Sequence, residues 1–135
     1  MKLDGKVSIV TGGGRGIGRA IALCFAAEGS AVVVAGTSKE KLESVAAEIR
    51  SGGGRALTTV ADVADEAAVR SLVSAALNEF GRIDILVNNA GIAGPTALVT
   101  DVAREDWDRT LAVNLTGAFL CAKHALPFMI ERRAG

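Results

Sequence analysis

The 135-residue chain contains no tyrosine, one histidine, one tryptophan and two prolines. Without tyrosine, these residues supply no phenol to an acid–base mechanism. The two cysteines, Cys24 and Cys121, lie far apart in the sequence and match no metal-binding or redox spacing. We therefore expect both thiols to be buried and reduced, as in a cytosolic protein.

The chain also lacks a surplus of either charge, since 15 basic residues balance 15 acidic residues. Nucleic-acid-binding domains normally carry a basic surplus, so nucleic acid is not an expected partner. No stretch reaches the roughly 18 uncharged apolar residues that cross a membrane, and the amino terminus has no apolar region of signal-peptide length. We expect a soluble, cytoplasmic single domain over residues 1–135, with no membrane partner.

Short apolar runs alternate with stretches of helical periodicity. The runs at residues 7–10, 31–35, 56–61 and 83–87 predict four strands. Three helical stretches separate them, and Ser38 and Asp65 are the predicted N-caps of the second and third helices. The order β-α-β-α-β-α-β predicts an α/β fold in which helices cover a parallel sheet.

A long helical region is predicted over residues 102–133, after a loop at 88–100. Pro127 lies inside this region, and proline kinks or ends most helices. Because apolar residues continue beyond it, we expect a kinked helix. Trp107 is expected to pack within the fold, and His124 to be a packed or interface residue and not a catalyst.

A glycine-rich turn joins the first strand to the first helix, with the sequence Thr11-Gly12-Gly13-Gly14-Arg15-Gly16-Ile17-Gly18. Glycine allows positive φ and close approach of a ligand to the backbone. The helix N-terminus adds free N–H groups and partial positive charge, which suit a pyrophosphate. A turn that only connects strand to helix is the alternative. The spacing differs from the usual Gly-x-Gly-x-x-Gly fingerprint of dinucleotide sites.

The spacing Thr-Gly-x-x-x-Gly-x-Gly resembles that of the short-chain dehydrogenase/reductase family, and three further landmarks occur in the same order. Asn88-Asn89-Ala90-Gly91 follows the fourth strand, Asp62 follows the third, and Asn114 lies in Leu111-Ala112-Val113-Asn114-Leu115. The resemblance covers residues 6–133. The 3-oxoacyl-carrier-protein reductase type is the most similar group within the family.

The resemblance implies a Rossmann-type fold with strand order 3-2-1-4, truncated after the helix that follows strand 4. It also implies hydride transfer between a nicotinamide cofactor and a small carbonyl or alcohol substrate. The residues it assigns to the cofactor are Gly12, Gly14, Arg15, Gly16, Ile17, Gly18, Thr37, Ser38, Lys39, Asp62, Val63, Asn89, Ala90 and Gly91, and no metal is implied. Asp62 would contact the adenine, and Asn114 would belong to the catalytic tetrad.

The remaining catalytic residues of the family are absent. Its serine and its Tyr-x-x-x-Lys motif have no counterpart in these 135 residues. The tyrosine of the family is a general acid–base group, and a positioned acid of this kind contributes about 10²–10⁴ in rate. We therefore expect no dehydrogenase turnover from this chain alone.

The end of the second strand favours NADP(H) over NAD(H). Enzymes that prefer NAD place an acid there, which binds the ribose hydroxyls and repels a 2′-phosphate. This chain has Thr37, Ser38 and Lys39 at that point, with no acid before Glu40, and Arg15 lies in the glycine turn. Hydroxyls and cations suit a phosphate. The alternative is that Lys39 binds no phosphate and is simply exposed to solvent at the start of the second helix.

Other residues keep structural alternatives. Asp62 could cap a turn, and Asn88 and Asn89 could be turn residues next to Gly91. Three hypotheses follow for the chain as a whole: the N-terminal part of a longer reductase, which we favour; a short non-catalytic dinucleotide-binding protein; and an oligomerisation module. In the resembling family this last helical region often forms subunit interfaces, so Phe119, Leu126 and Ile130 could face a partner in a homo-oligomer.

Overall fold

The computed structural model describes residues 1–135, and its strands and helices alternate as the sequence predicts. The elements, in chain order, are β1 Val7–Thr11, α1 Gly16–Ala27, β2 Ala31–Gly36, α2 Lys39–Ser51, β3 Ala56–Val60, α3 Glu66–Phe80, β4 Ile85–Val87, α4 Arg104–Leu111 and α5 Gly117–Arg132. A short 3₁₀ turn, Val99–Asp101, precedes α4, and a π-helical turn, Ala112–Thr116, joins α4 to α5.

The four strands form one parallel sheet in the order β3-β2-β1-β4, which confirms the predicted topology. Successive side chains of a strand point to opposite faces. Ile9 and Val33 therefore join one core with α3 and α5, whereas Val10 and Val34 join a second core with α1 and α2. Burial on both faces explains why β2 contains no polar side chain and why the two polar residues of β1, Ser8 and Thr11, are both hydrogen-bonded.

The capping residues act as predicted. Ser38 precedes α2 in an extended conformation and its side chain accepts from the Lys41 N–H, and Asp65 accepts from the Ala67 N–H at 3.0 Å. Gly81 ends α3 in the left-handed conformation, at φ 76°. These ends set the lengths of the helices that cross from one strand to the next.

The fourth strand is shorter than the predicted 83–87. It begins at Ile85, immediately after Asp84, whose main chain and side chain both bond to Val7. The Asp84 N–H donates to the Val7 carbonyl at 2.9 Å, and the Asp84 carboxylate accepts from the Val7 N–H at 2.9 Å. A side chain thus replaces the next main-chain acceptor of the sheet.

The last helical region runs through Pro127 and ends at Arg132. Its departure from regular α-helix lies at Ala112–Thr116, well before the proline on which the prediction of a kink rested. Trp107 is 55% exposed, so the expected packing of this side chain is wrong.

As expected, no uncharged apolar run is long enough to cross a membrane, but one helix comes close, with Lys123 between its two uncharged runs. The continuous helical stretch Arg104–Arg132 as a whole is long and apolar enough to do so by length and composition. In this fold one of its faces packs inward, where Leu120, Cys121, Ala125 and Met129 are buried in two of the three cores. We interpret it as a core helix of a soluble fold.

The two cysteines differ. Cys121 is buried as expected, and burial raises the pKa of its thiol to about 11. Cys24 is exposed, so its predicted burial is wrong. The inward face of α1 is formed by the small residues Gly18 and Ala22, and Cys24 lies on another side of the helix.

Candidate functional site

The glycine turn lies at the carboxyl end of β1, where the crevice of a parallel sheet is expected. Gly12 and Gly16 adopt φ +61° and +53°, a region that favours glycine. A Cβ at Gly12 would lie 2.9 Å from the Asn89 amide nitrogen. The turn therefore requires glycine for two reasons: its backbone conformation, and the close approach of the segment after β4.

Helix α1 begins directly after this turn, and no side chain caps its N-terminus. Its first N–H groups and the positive end of its dipole consequently remain available to an anion. A cavity of about 360 Å³ lies beside them and is lined by Gly12, Arg15, Gly16, Ile17, Asn89 and Gly91.

Asn89 and Thr11 tie the segment after β4 to the turn. The Asn89 amide donates to the carbonyls of Thr11 and Gly12 at 3.0 and 3.2 Å. The Thr11 hydroxyl accepts from the N–H groups of Asn89 and Ala90 and donates to the Val87 carbonyl. This set of bonds braces the glycine turn, and it leaves Gly18 buried against the Gly12 carbonyl and the Asn89 side chain.

A second cavity, of about 370 Å³, opens along the carboxyl ends of β1, β2 and β3. Its lining consists of Gly12, Gly14, Arg15, Gly36, Thr37, Ser38, Lys41, Leu42, Ala61, Asp62, Val63, Ala90, Gly91, Ile92, Arg109 and Val113. It holds three cationic side chains and one carboxylate. The two cavities share Gly12, Arg15 and Gly91 and therefore adjoin.

The charged groups of the larger cavity fall into two sets. Arg109 donates to Asp62 at 2.8 Å, so these charges compensate each other. Arg15 and Lys41 take part in none of the ion pairs of the structure. The region next to the end of β2 is therefore positively charged, with two cations that lack an acidic partner.

Asp62 is an acceptor on both oxygens. Oδ1 accepts from the Ala64 N–H at 3.0 Å and Oδ2 from Arg109. Partial burial by itself raises the pKa of Asp62, but the hydrogen bonds from Ala64 and Arg109 outweigh it, and the pKa lies below its ordinary value. Asp62 is thus a carboxylate near neutral pH. Asp62 also caps a turn, which was the structural alternative for this residue, because its side chain accepts from the Ala64 N–H.

Asn114 lies in the π-helical turn and faces the segment after β4. Its side chain accepts from the Ile92 N–H at 2.7 Å and donates to the Ile92 carbonyl at 2.8 Å. The Asn114 side-chain amide thus pairs with the main-chain N–H and C=O of Ile92. This pairing holds residues 91–92 over the larger cavity. Asn114 lines neither cavity.

The structure brings most predicted cofactor residues together. The larger cavity collects Gly12, Gly14, Arg15, Thr37, Ser38, Asp62, Val63, Ala90 and Gly91, and the smaller one adds Gly16, Ile17 and Asn89. Lys39 and Gly18 line neither. Lys39 is exposed on the first turn of α2, and Gly18 packs inside the brace.

Sequence reasoning missed Lys41 and Arg109. Lys41 could have been found, because it stands three residues after Ser38 and precedes the buried Leu42, so helical spacing turns it toward the same side. Arg109 gave no sequence signal. Its position depends on where α4 lies relative to the segment that follows β3.

The sheet order, the glycine turn and the cavity at the strand ends define a Rossmann-type nucleotide-binding fold. Residues 6–135 match the family described as short chain dehydrogenase, and the chain belongs to this family. The resemblance stated from the motifs is therefore confirmed.

Similar proteins include 3-oxoacyl-acyl-carrier-protein reductase of Thermotoga maritima, 41% identical over 100% of this chain and 54% of that protein. The structure of NAD⁺-bound xylitol dehydrogenase superposes with a TM-score of 0.96 at 41% identity, covering 100% of this chain and 52% of that one. A metagenomic short-chain oxidoreductase in complex with NADP gives 0.96 at 36% identity, with coverages of 100% and 61%. The chain spans about half the length of the curated relatives it matches.

Proposed function

We propose that residues 1–135 form a single dinucleotide-binding domain that binds NADP(H) in preference to NAD(H). In a full-length form, this domain would serve hydride transfer to or from a small carbonyl or alcohol substrate. The observation that carries the proposal is the pair of unpartnered cations, Arg15 and Lys41, in one cavity with Thr37 and Ser38.

The residues present fit such a cofactor. The uncapped start of α1 and the glycine turn would hold the pyrophosphate. Arg15, Lys41 and the two hydroxyls would hold a 2′-phosphate, and no carboxylate lies at the end of β2 to repel it. Asp62 and Val63 would border the base. When bound, the nicotinamide would supply or accept the hydride.

Asn114 is the one member of the catalytic tetrad that this chain would contribute. Its bonds to Ile92 would hold the segment after β4 in place beside the cofactor. The coverage of about half of the relatives supports the hypothesis that the chain is the N-terminal part of a longer reductase.

Titration of the chain with NADPH and NADH, followed by nicotinamide fluorescence, tests the preference. We expect tighter binding of NADPH, and an Arg15→Ala or Lys41→Ala variant to weaken it by about tenfold to a hundredfold, the value of a hydrogen bond to a charged group. NADH binding should change much less in Lys41→Ala, because Lys41 lines only the larger cavity, whereas Arg15 also borders the proposed pyrophosphate site. Lys39→Ala is the matched control, since Lys39 lies two residues from Lys41 and outside both cavities. Tighter binding of NADH would refute the preference.

We also propose a cytoplasmic location and self-association through the outer face of α5. The two free cysteines suit a reducing compartment. Phe119, Leu126 and Ile130 expose 60%, 46% and 71% of their surfaces, and such an apolar face favours a protein partner. Sedimentation of the chain should show a dimer or larger species that Phe119→Asp dissociates. A monomer at all concentrations would refute self-association.

A further inference from the structure

The ion pair between Arg109 and Asp62 lies in the lining of the larger cavity and joins two elements that are distant in sequence. Asp62 follows β3, and Arg109 lies in the last turn of α4. Their side chains are 36% and 51% exposed, so the pair is open to a ligand from the cavity side.

The backbone on both sides of this pair is held firmly. Immediately after α4, Asn114 exchanges two hydrogen bonds with Ile92, and Val113 is buried in the same core as Val63. A Cβ at Gly94 would lie 2.7 Å from the Thr110 hydroxyl, so the loop after β4 also packs closely on α4. The backbone that carries Arg109 is therefore held close to Asp62.

The hydrogen bonds that Asp62 already accepts determine which ligand groups it can bind. Its two oxygens are each held by one donor, the Ala64 N–H and the Arg109 guanidinium. A carboxylate oxygen has two lone pairs, so each retains one acceptor site. The ionised carboxylate donates no proton. A ligand group that meets it must therefore be a donor, such as an exocyclic amine.

Resting on the proposed function above, we propose that Arg109 is a positioning residue of the nucleotide site. It holds the Asp62 carboxylate as a fixed acceptor, so that the site takes a purine with an exocyclic amino group and disfavours one with a carbonyl group in its place. Arg15 and Lys41, which lack an acidic partner, remain for phosphate. Of the three cations of the cavity, one would therefore act at the base and two would bind phosphate.

The test compares NADPH with reduced nicotinamide hypoxanthine dinucleotide phosphate, which carries a carbonyl where adenine carries its amine. Both are titrated by nicotinamide fluorescence. We expect the chain to bind NADPH at least about tenfold more tightly than the analogue, because the lost hydrogen bond is to a charged group. Arg109→Ala should reduce this ratio to about threefold by weakening NADPH alone, since an unheld carboxylate positions the bond less well.

Arg109→Lys should restore most of the ratio, because it keeps a cation that can donate to Asp62. Arg104→Ala is the matched control: Arg104 lies on the same helix and pairs with Asp108, outside the cavity. An unchanged ratio in Arg109→Ala, or equal weakening of both ligands, would overturn the inference, and equal weakening would assign Arg109 to the phosphates. If the unaltered chain binds neither ligand, the proposed function fails as well.

Discussion

Two aspartates at opposite ends of the sheet each pair with arginine, yet their surroundings differ. Asp84, at the amino ends of the strands, has a side chain that is 3% exposed and accepts from Arg82, Arg132 and the Val7 N–H. Asp62, at the carboxyl ends, has a side chain that is 36% exposed and borders a cavity. The same type of ion pair, aspartate with arginine, thus stabilises the fold at the amino ends of the strands and remains open to a ligand at their carboxyl ends.

The network around Asp84 joins three parts of the chain. Its carboxylate takes the N–H at the start of β1, the neighbouring Arg82 beside β4, and Arg132 in the last turn of α5. Arg132 also donates to the Ile83 carbonyl at 3.2 Å. Burial by itself raises the pKa of Asp84, but these hydrogen bonds outweigh it, and the pKa lies below its ordinary value.

Removal of Asp84 should give the largest effect. Asp84→Ala leaves the Val7 N–H without its acceptor and two arginines without their shared partner. We expect the free energy of unfolding, measured in urea at neutral pH, to fall by about 1–3 kcal/mol, the usual cost of leaving a buried donor unsatisfied, because the two arginines are 38% and 31% exposed and can regain water. Asp84→Asn, which keeps an acceptor oxygen, should lose less.

Asp62→Ala is the comparison for this measurement. Because its pair with Arg109 is partly exposed, we expect a loss below about 1 kcal/mol. Equal losses at the two sites would contradict the distinction between a structural end and a ligand-binding end of the sheet.

A third acidic residue, Glu66, should give an intermediate effect that depends on pH. It lies in the first turn of α3 and accepts from Lys123 and His124 of α5 at 2.8 Å each. These bonds, led by that from Lys123, lower the pKa of Glu66 to about 2. Since the folded pKa is lower than that of the unfolded chain, Glu66 stabilises the fold above the unfolded pKa, and the stabilisation is lost as the pH falls toward 2.

The test is the thermal unfolding of Glu66→Gln over a range of pH. The variant should unfold at a lower temperature than the unaltered chain near neutral pH, and the difference should narrow as the pH falls through the range of about 4 to 2. Glu79→Gln, on the same helix and without an ion pair, is the control and should show little difference at any pH. A gap that stays constant with pH would show that Glu66 acts by packing and not by charge.

Much of the fold could be predicted from local sequence patterns. Apolar runs marked the four strands, and Ser38, Asp65 and Gly81 marked helix ends, because capping depends on neighbours close in sequence. The glycine turn and the Asn89-Ala90-Gly91 segment predicted most of the cavity lining for the same reason. Cys24 was misjudged, because the prediction used residue type and took no account of which side of α1 it occupies.

The sequence by itself determined the alternation of strands and helices, the turn at the start of α1 and the family to which the chain belongs. Only the tertiary structure decided that Arg109 meets Asp62 and that Asp84 shortens β4. The physical reason is distance along the chain. Periodicity and caps depend on residues a few positions apart, whereas these contacts depend on how separate elements pack.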